Sequence, residues 1–190
     1  SLLGISDDVH FIRTTDEHHE AAAQALWKIC DERGYIYKGK YSTKYCVGCE
    51  LEKTDSELDD NGHCPLHPNR ELEMIDEENY FFALSKVTPL LEKLYTENPQ
   101  LVIPDFRYNE MKAFLGRGLQ DFSISRSREK MPWGVAVPGD DTQVMYVWFD
   151  ALTNYISTLG WPEDTAGNYE KFWVGGDTVQ YCGKDNTRQQ

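Results

Sequence analysis

Four residues carry metal-ligand atoms at spacings that form a site: Cys46, Cys49, Cys64 and His67. The pattern is Cys-x2-Cys, fourteen intervening residues, then Cys-x2-His. A two-residue gap lets one tight turn aim two ligands at a single ion, and a second such pair closes the tetrahedron that zinc favours. Four protein ligands leave no position open for water, so the spacing predicts a structural Zn2+ that does no hydrolysis. Residues 46–67 hold few apolar side chains and contain the turn-forming run Asp59-Asp60-Asn61-Gly62. Metal must therefore supply the order that a core supplies elsewhere. His63 adjoins Cys64 and is an alternative fourth ligand, with poorer geometry than His67. Two unrelated cysteine pairs are a further alternative, but a redox pair calls for a thioredoxin-like strand–helix frame that the neighbouring sequence lacks.

The elements around this loop follow from periodicity. Asp16 to Arg33 reads as a helix, with Ala22, Ala25, Leu26 and Ile29 at helical spacing and Gly34 where a C-terminal cap belongs. Cys30 lies on that helix among apolar neighbours and reads as a small core residue. Tyr35 to Tyr45 alternates and predicts strand, as does the end of the run at Tyr80-Phe81-Phe82. Thr88 and Pro89 predict a helix start running to about Asn98, and Pro104-Asp105 opens another that stops near Gly116. Leu119 to Ser125, Gly134 to Val137 and Val144 to Trp148 predict strands, the last two joined by Pro138-Gly139-Asp140-Asp141. Asp150 to Leu159 predicts a helix; Phe172 to Gly175 and Val179 to Tyr181 predict short strands. The last residues, to Gln189-Gln190, look like the start of another helix, which suggests a piece of a longer protein.

Composition bounds the function. The chain has 190 residues, 40% of them hydrophobic, and a formal net charge of −13. That is enough apolar content for a folded core, and the charge opposes tight free-standing binding to nucleic acid, which needs a cationic surface. No run approaches the ~18 apolar residues of a membrane span. The first residues lack the basic start and apolar stretch of a secretory signal, and five cysteines, an odd number, fit a reducing compartment better than a disulfide framework.

Six stretches stand out in order. They are Phe11 to Asp16 followed by His19; Tyr35 to Gly39; Asn79 to Lys86; Asp121 to Arg126; Val147 to Ala151 through Tyr155; and Gly183-Lys184-Asp185. In this order the chain resembles methionyl-tRNA synthetase, a class I aminoacyl-tRNA synthetase, over essentially its whole length. The resemblance implies an α/β fold: a partial Rossmann-like catalytic domain with an inserted α+β connective domain carrying a zinc knuckle. Residues 1–34 would end the first Rossmann half, 35–118 would form the insertion with the knuckle at 46–67, and 119–190 would begin the second half.

The resemblance also implies roles. Trp148, Ala151, Tyr155 and Gln190 match the family's methionine pocket, although Gln190 stands where many relatives carry histidine and Leu152 where some carry proline. On spacing alone, Trp148, Ala151 and Tyr155 favour ordinary helix-to-sheet packing. Arg126 matches an arginine near the ATP phosphates; read alone it belongs to a solvated basic stretch ending at Lys130. Gly183 and Asp185 match residues at the ATP ribose, a signal that many loops share without the family. ATP with Mg2+, methionine and tRNA(Met) would be the substrates of a cytoplasmic ligase with no membrane association. The family's His-Ile-Gly-His and Lys-Met-Ser-Lys-Ser signatures occur nowhere in the sequence, so the chain alone is expected to be inactive and to bind tRNA weakly if at all. Lys38, Lys40, Lys44 and Lys53 could still brush an acceptor stem. A synthetase for leucine, isoleucine or valine is the alternative within the class, but it calls for a longer insertion that holds an editing site. A zinc-dependent binding module without catalytic parentage explains residues 46–67 and not the motifs after Asp121.

Overall fold

The computed structural model describes residues 4, 9, 11–49, 51–53, 55–183 and 186–187. Helix α1 spans Glu17–Glu32. Its buried stripe is His19, Ala22, Ala23 and Trp27, while Ala25, Leu26 and Ile29 are only half-buried. The seam is thus rotated from the predicted one, because the large Trp27 ring takes the inward position. The helix ends as expected. Gly34 has φ +71, its N–H donates to Asp31 O, and the Tyr35 N–H donates to Cys30 O. These two bonds make a Schellman motif, which requires a left-handed residue at Gly34.

Two strands follow the helix as a long hairpin. β1 (Ile36–Cys46) pairs antiparallel with β2 (Leu51–Lys53) and along its length with β3 (Glu73–Phe82). A 3-10 turn, Asp55–Glu57, lies between β2 and β3. Helix α2 (Leu84–Glu97) begins four residues before the predicted start and carries Pro89 inside it. The signal that fixes its start is not local. Asp121, far along the chain, accepts the Ser85 N–H at 3.0 Å and so caps the first turn. Thr88 is no cap here; its hydroxyl donates back to Leu84 O at 3.3 Å. Helix α3 spans Asp105–Leu115, as the sequence predicts.

The predicted strand over Leu119 to Ser125 divides in two. β4 (Phe122–Ser123) extends the first sheet to the order β2-β1-β3-β4, and β5 (Ser125–Ser127) joins β6 (Ala136–Val137) and β7 (Asp140–Met145) in the order β5-β7-β6. Ile124 is the hinge between the sheets: its N–H donates to Tyr80 O and its carbonyl accepts from the Tyr146 N–H, both at 2.8 Å. Every strand pairing among the described residues is antiparallel.

β7 stops at Met145, and α4 (Val147–Leu152) has begun by Trp148. The predicted strand end at Trp148 is therefore the first turn of a helix. Phe149 explains the change, since its ring docks edge-on against Trp27 at 5.3 Å and a straight strand would carry it past. α5 (Asn154–Ser157) continues the path through Thr153, which keeps helical dihedrals.

The predicted strands at Phe172 and Val179 do not form. Tyr169–Val174 is a π-helical turn, capped by the Asp164 carboxylate, which accepts from the N–H groups of Tyr169 and Glu170. Gly176 closes it, because a Cβ there would meet Phe172 O at 2.5 Å. Residues 177–183 have no regular structure. A short strand needs a ladder partner, and the described residues offer none there. The apparent helix start at the chain's end lies outside the described residues, apart from Asn186 and Thr187.

One core serves both sheets. Ala23, Trp27, Ile36, Ile124, Val135, Val137 and Met145 are buried together, with Cys30, Tyr80, Phe82 and Phe149 packed against them. Trp27 is at its centre, in T-shaped contact with Tyr80 and Phe149. No described helix is long and apolar enough to cross a membrane.

Candidate metal centre and substrate pocket

The tip of the β1–β3 hairpin gathers the four predicted metal ligands. Cys46 ends β1, and the Cys49 N–H donates to Cys46 O at 3.1 Å, closing the first turn. The His67 N–H donates to Cys64 O at 2.9 Å, closing the second. The four ligand atoms lie within 4.8 Å of one another and could hold a metal ion. His67 Nδ1 is 3.2 Å from Cys49 Sγ, 3.6 Å from Cys46 Sγ and 4.0 Å from Cys64 Sγ. Cys49 and Cys64 Sγ are 3.5 Å apart. Tetrahedral bonds of about 2.3 Å to sulfur and about 2.0 Å to nitrogen require N–S edges of about 3.5 Å and S–S edges of about 3.8 Å. The observed edges scatter around those values, so the donor set fits the ion. His63 is not in the cluster; its N–H instead donates to Asp59 Oδ1 in the preceding turn.

The thiols share protons unequally. Burial pushes Cys49 up to about 11, helped by its bonds to Cys64 and Cys46. Burial also works against ionising Cys64, yet hydrogen bonds from His67 and the Leu66 amide bring it down to about 6. A bound cation would draw off the remaining protons, since only thiolates ligate. Gly48 is a residue of this cluster's surroundings that cysteine spacing does not reveal. A Cβ there would stand 2.6 Å from the His67 ring, so glycine is what lets the imidazole reach the cluster.

The second group of predicted residues surrounds the end of β7. β5 pairs with β7 so that Arg126 lies opposite Val144. The Arg126 guanidinium stacks over the Tyr146 ring at 4.0 Å and donates to Ser123 Oγ and Ser125 O at 2.7 and 2.9 Å. It is half-buried and held, not loose in a basic stretch. Tyr146 leads directly into α4, so Arg126 and the start of that helix share one corner. On α4 and α5, Trp148, Ala151 and Tyr155 follow i, i+3, i+7 spacing along one helical face. Trp148 is 37% exposed, and Ala151 and Tyr155 are half-buried.

Gly183 is not brought to this corner by any recorded contact; it is exposed, with open space around it. Asp185 and Gln190 lie outside the described residues. An open cleft of about 770 Å³ runs along Phe11, Ile12, Asp16, His19, Ser157 and Phe172, and neither Arg126 nor the Trp148 face lines it. Cys30 is a half-buried core neighbour, its thiol pushed up by burial.

Similarity to known proteins covers nearly all of the chain. The sequence matches the profile of the tRNA synthetases class I (M) over residues 1–74 and 60–189. It is 40% identical over 178 residues to a methionine–tRNA ligase of Fusobacterium nucleatum, covering 94% of this chain and 27% of that protein. It is 45% identical over 187 residues to one of Clostridium tetani, covering 98% of this chain and 28% of that protein. The fold is similar to the crystal structure of Mycobacterium tuberculosis methionyl-tRNA synthetase bound by methionyl-adenylate. That match has a TM-score of 0.83 at 39% identity and covers 98% of this chain and 36% of that one. The chain thus spans under a third of the length of the curated relatives cited.

Proposed function

The chain belongs to the class I (M) tRNA synthetases, and on that premise we propose that it is a segment of a methionine–tRNA ligase. Such an enzyme joins methionine to AMP, displacing pyrophosphate from ATP, then passes the methionyl group to the terminal ribose of tRNA(Met). The observation that carries this reading is the shared corner of Arg126, Tyr146 and the Trp148–Ala151–Tyr155 face. Arg126 is held over the Tyr146 ring, two residues before Trp148, and the rings of Trp148 and Tyr155 would suit a polarisable thioether. Arg126 would hold ATP phosphates, where a preorganised positive charge stabilises what develops as pyrophosphate leaves. Gly183 and Asp185 would take the ribose, and Gln190 would complete the methionine pocket. Mg2+ would arrive with ATP. No side chain of the segment acts as nucleophile or general base on this reading; it positions and stabilises charge.

Cys46, Cys49, Cys64 and His67 would bind one structural Zn2+ that orders the hairpin tip. Residues 1–34 and 119–190 would belong to the catalytic domain and 35–118 to the connective insertion. Without the two nucleotide-binding signatures, the 190 residues would be inactive alone and would hold tRNA weakly. In the ligase that carries this segment, methionine should drive ATP–pyrophosphate exchange, and leucine, isoleucine and valine should not. Exchange driven by a branched amino acid and not by methionine would overturn the reading.

A further inference from the structure

The back of the proposed methionine pocket contains a buried polar network that the pocket reading leaves unexplained. His19, in the first turn of α1, is 0% exposed. One ring nitrogen, Nε2, is 2.9 Å from Asp150 Oδ1. The other, Nδ1, is 3.0 Å from Ser157 Oγ, and Ser157 is itself buried. The two ring nitrogens thus bond both partners at once.

Asp150 and Ser157 are seven residues apart, two helical turns, and so fall on one face of the α4–α5 path. Trp148, Ala151 and Tyr155 occupy the opposite face. The path between them is weak as a helix. α4 has six residues and α5 has four, joined at Thr153. Segments this short do not hold their own geometry, and the register of the pocket face must come from tertiary contacts. Phe149 supplies one, against Trp27. The imidazole supplies two more, and these are directional.

We propose that His19 is a positioning residue for methionine: by bridging Asp150 and Ser157 it splints α4 to α5 and fixes the angle at which Trp148 and Tyr155 face the substrate. The inference rests on the methionine-pocket reading above. It predicts an effect on methionine that ATP does not share, because Arg126 is anchored separately through Ser123, Ser125 and Tyr146.

The test uses the ligase that carries this segment, at a temperature where wild type and variants have the same far-ultraviolet circular dichroism. His19→Ala should raise the methionine KM about tenfold, the combined effect of the two hydrogen bonds it removes, and should change the ATP KM by less than about twofold. His19→Gln, which keeps a donor toward Asp150, should restore most of the loss. Should His19→Ala fail to fold, Ser157→Ala removes one bond only and should raise the methionine KM alone by about threefold. A methionine KM that does not move in the folded variants, or one that rises in step with the ATP KM, would overturn the proposal. Trp148→Ala separates the two layers of argument. If it leaves the methionine KM unchanged, the pocket reading itself is wrong. If it raises that KM while His19→Ala does not, only the positioning role is wrong.

Discussion

The hairpin tip and the Trp27 core sit at opposite ends of the same two strands and are stabilised by different physics. Around Trp27, six other buried apolar residues and several aromatic rings exclude water, and directional bonds such as His19–Asp150 refine a structure that burial already holds. Around Cys46 the surroundings are polar: Val47 and Leu66 are exposed, and what converges is three sulfurs and an imidazole. A long ribbon cannot carry its core to its far end, so the tip must be ordered by bonds to something compact. One strand pair can thereby join an apolar core to a polar tip that a metal ion could order, each stable for its own reason.

That contrast can be attacked from either side. Trp27→Ala removes the ring that touches both Tyr80 and Phe149 and should cost about 3–5 kcal/mol in denaturant unfolding. Zinc affinity measured below the new transition should stay within a few-fold of wild type; a parallel collapse would show that the tip depends on the core. Gly48→Ala attacks the other end. The added methyl must displace the His67 ring, so competition with a chromophoric chelator should show zinc affinity reduced at least about tenfold, equivalent to ~1.4 kcal/mol. Core melting of the zinc-loaded protein should shift little.

A smaller effect is expected where the two regions meet. Asp140 on β7 accepts bonds from Lys38 of β1 and Tyr80 of β3, at 3.0 and 3.1 Å. Its carboxyl is held down to about 2, first by the Thr142 hydroxyl and then by Lys38, against the opposing effect of burial. A carboxyl depressed on folding contributes stability in full above its unfolded value near 3.8 and loses it as pH falls toward 2. Asp140→Asn should therefore lower stability by about 1 kcal/mol at neutral pH, and the difference from wild type should vanish between roughly pH 4 and pH 2. A difference that persists at pH 2 would mean that lost packing, not lost charge, explains the variant.

Much of this was legible in the sequence, and what was not has a common cause. The gathering of Cys46, Cys49, Cys64 and His67 could be read because two-residue gaps are a local geometric device. Helix α1 could be read because its cap, Gly34, is adjacent to it. The start of α2 could not, since its capping carboxylate is Asp121. The division of β4 from β5 depends on Ile124 bonding to both sheets. Trp148 looked like strand by composition, and the contacts that hold this stretch as helix, Phe149 on Trp27 and Asp150 on His19, come from a distant segment. Gly48 offered no sequence signal, because the group that needs its missing Cβ lies nineteen residues on, at His67. His19 and Asp150 were each visible inside a motif, but their pairing spans 131 residues. In every case the missing information was a contact between distant segments.

The most direct test of two independently held regions is amide hydrogen exchange on the protein with one zinc bound and again after chelation. Metal removal should release protection across residues 46–67 while the amides of Ala23, Trp27, Ile124 and Met145 exchange as slowly as before. Uniform loss of protection through the core, or a tip that stays protected without metal, would contradict the account.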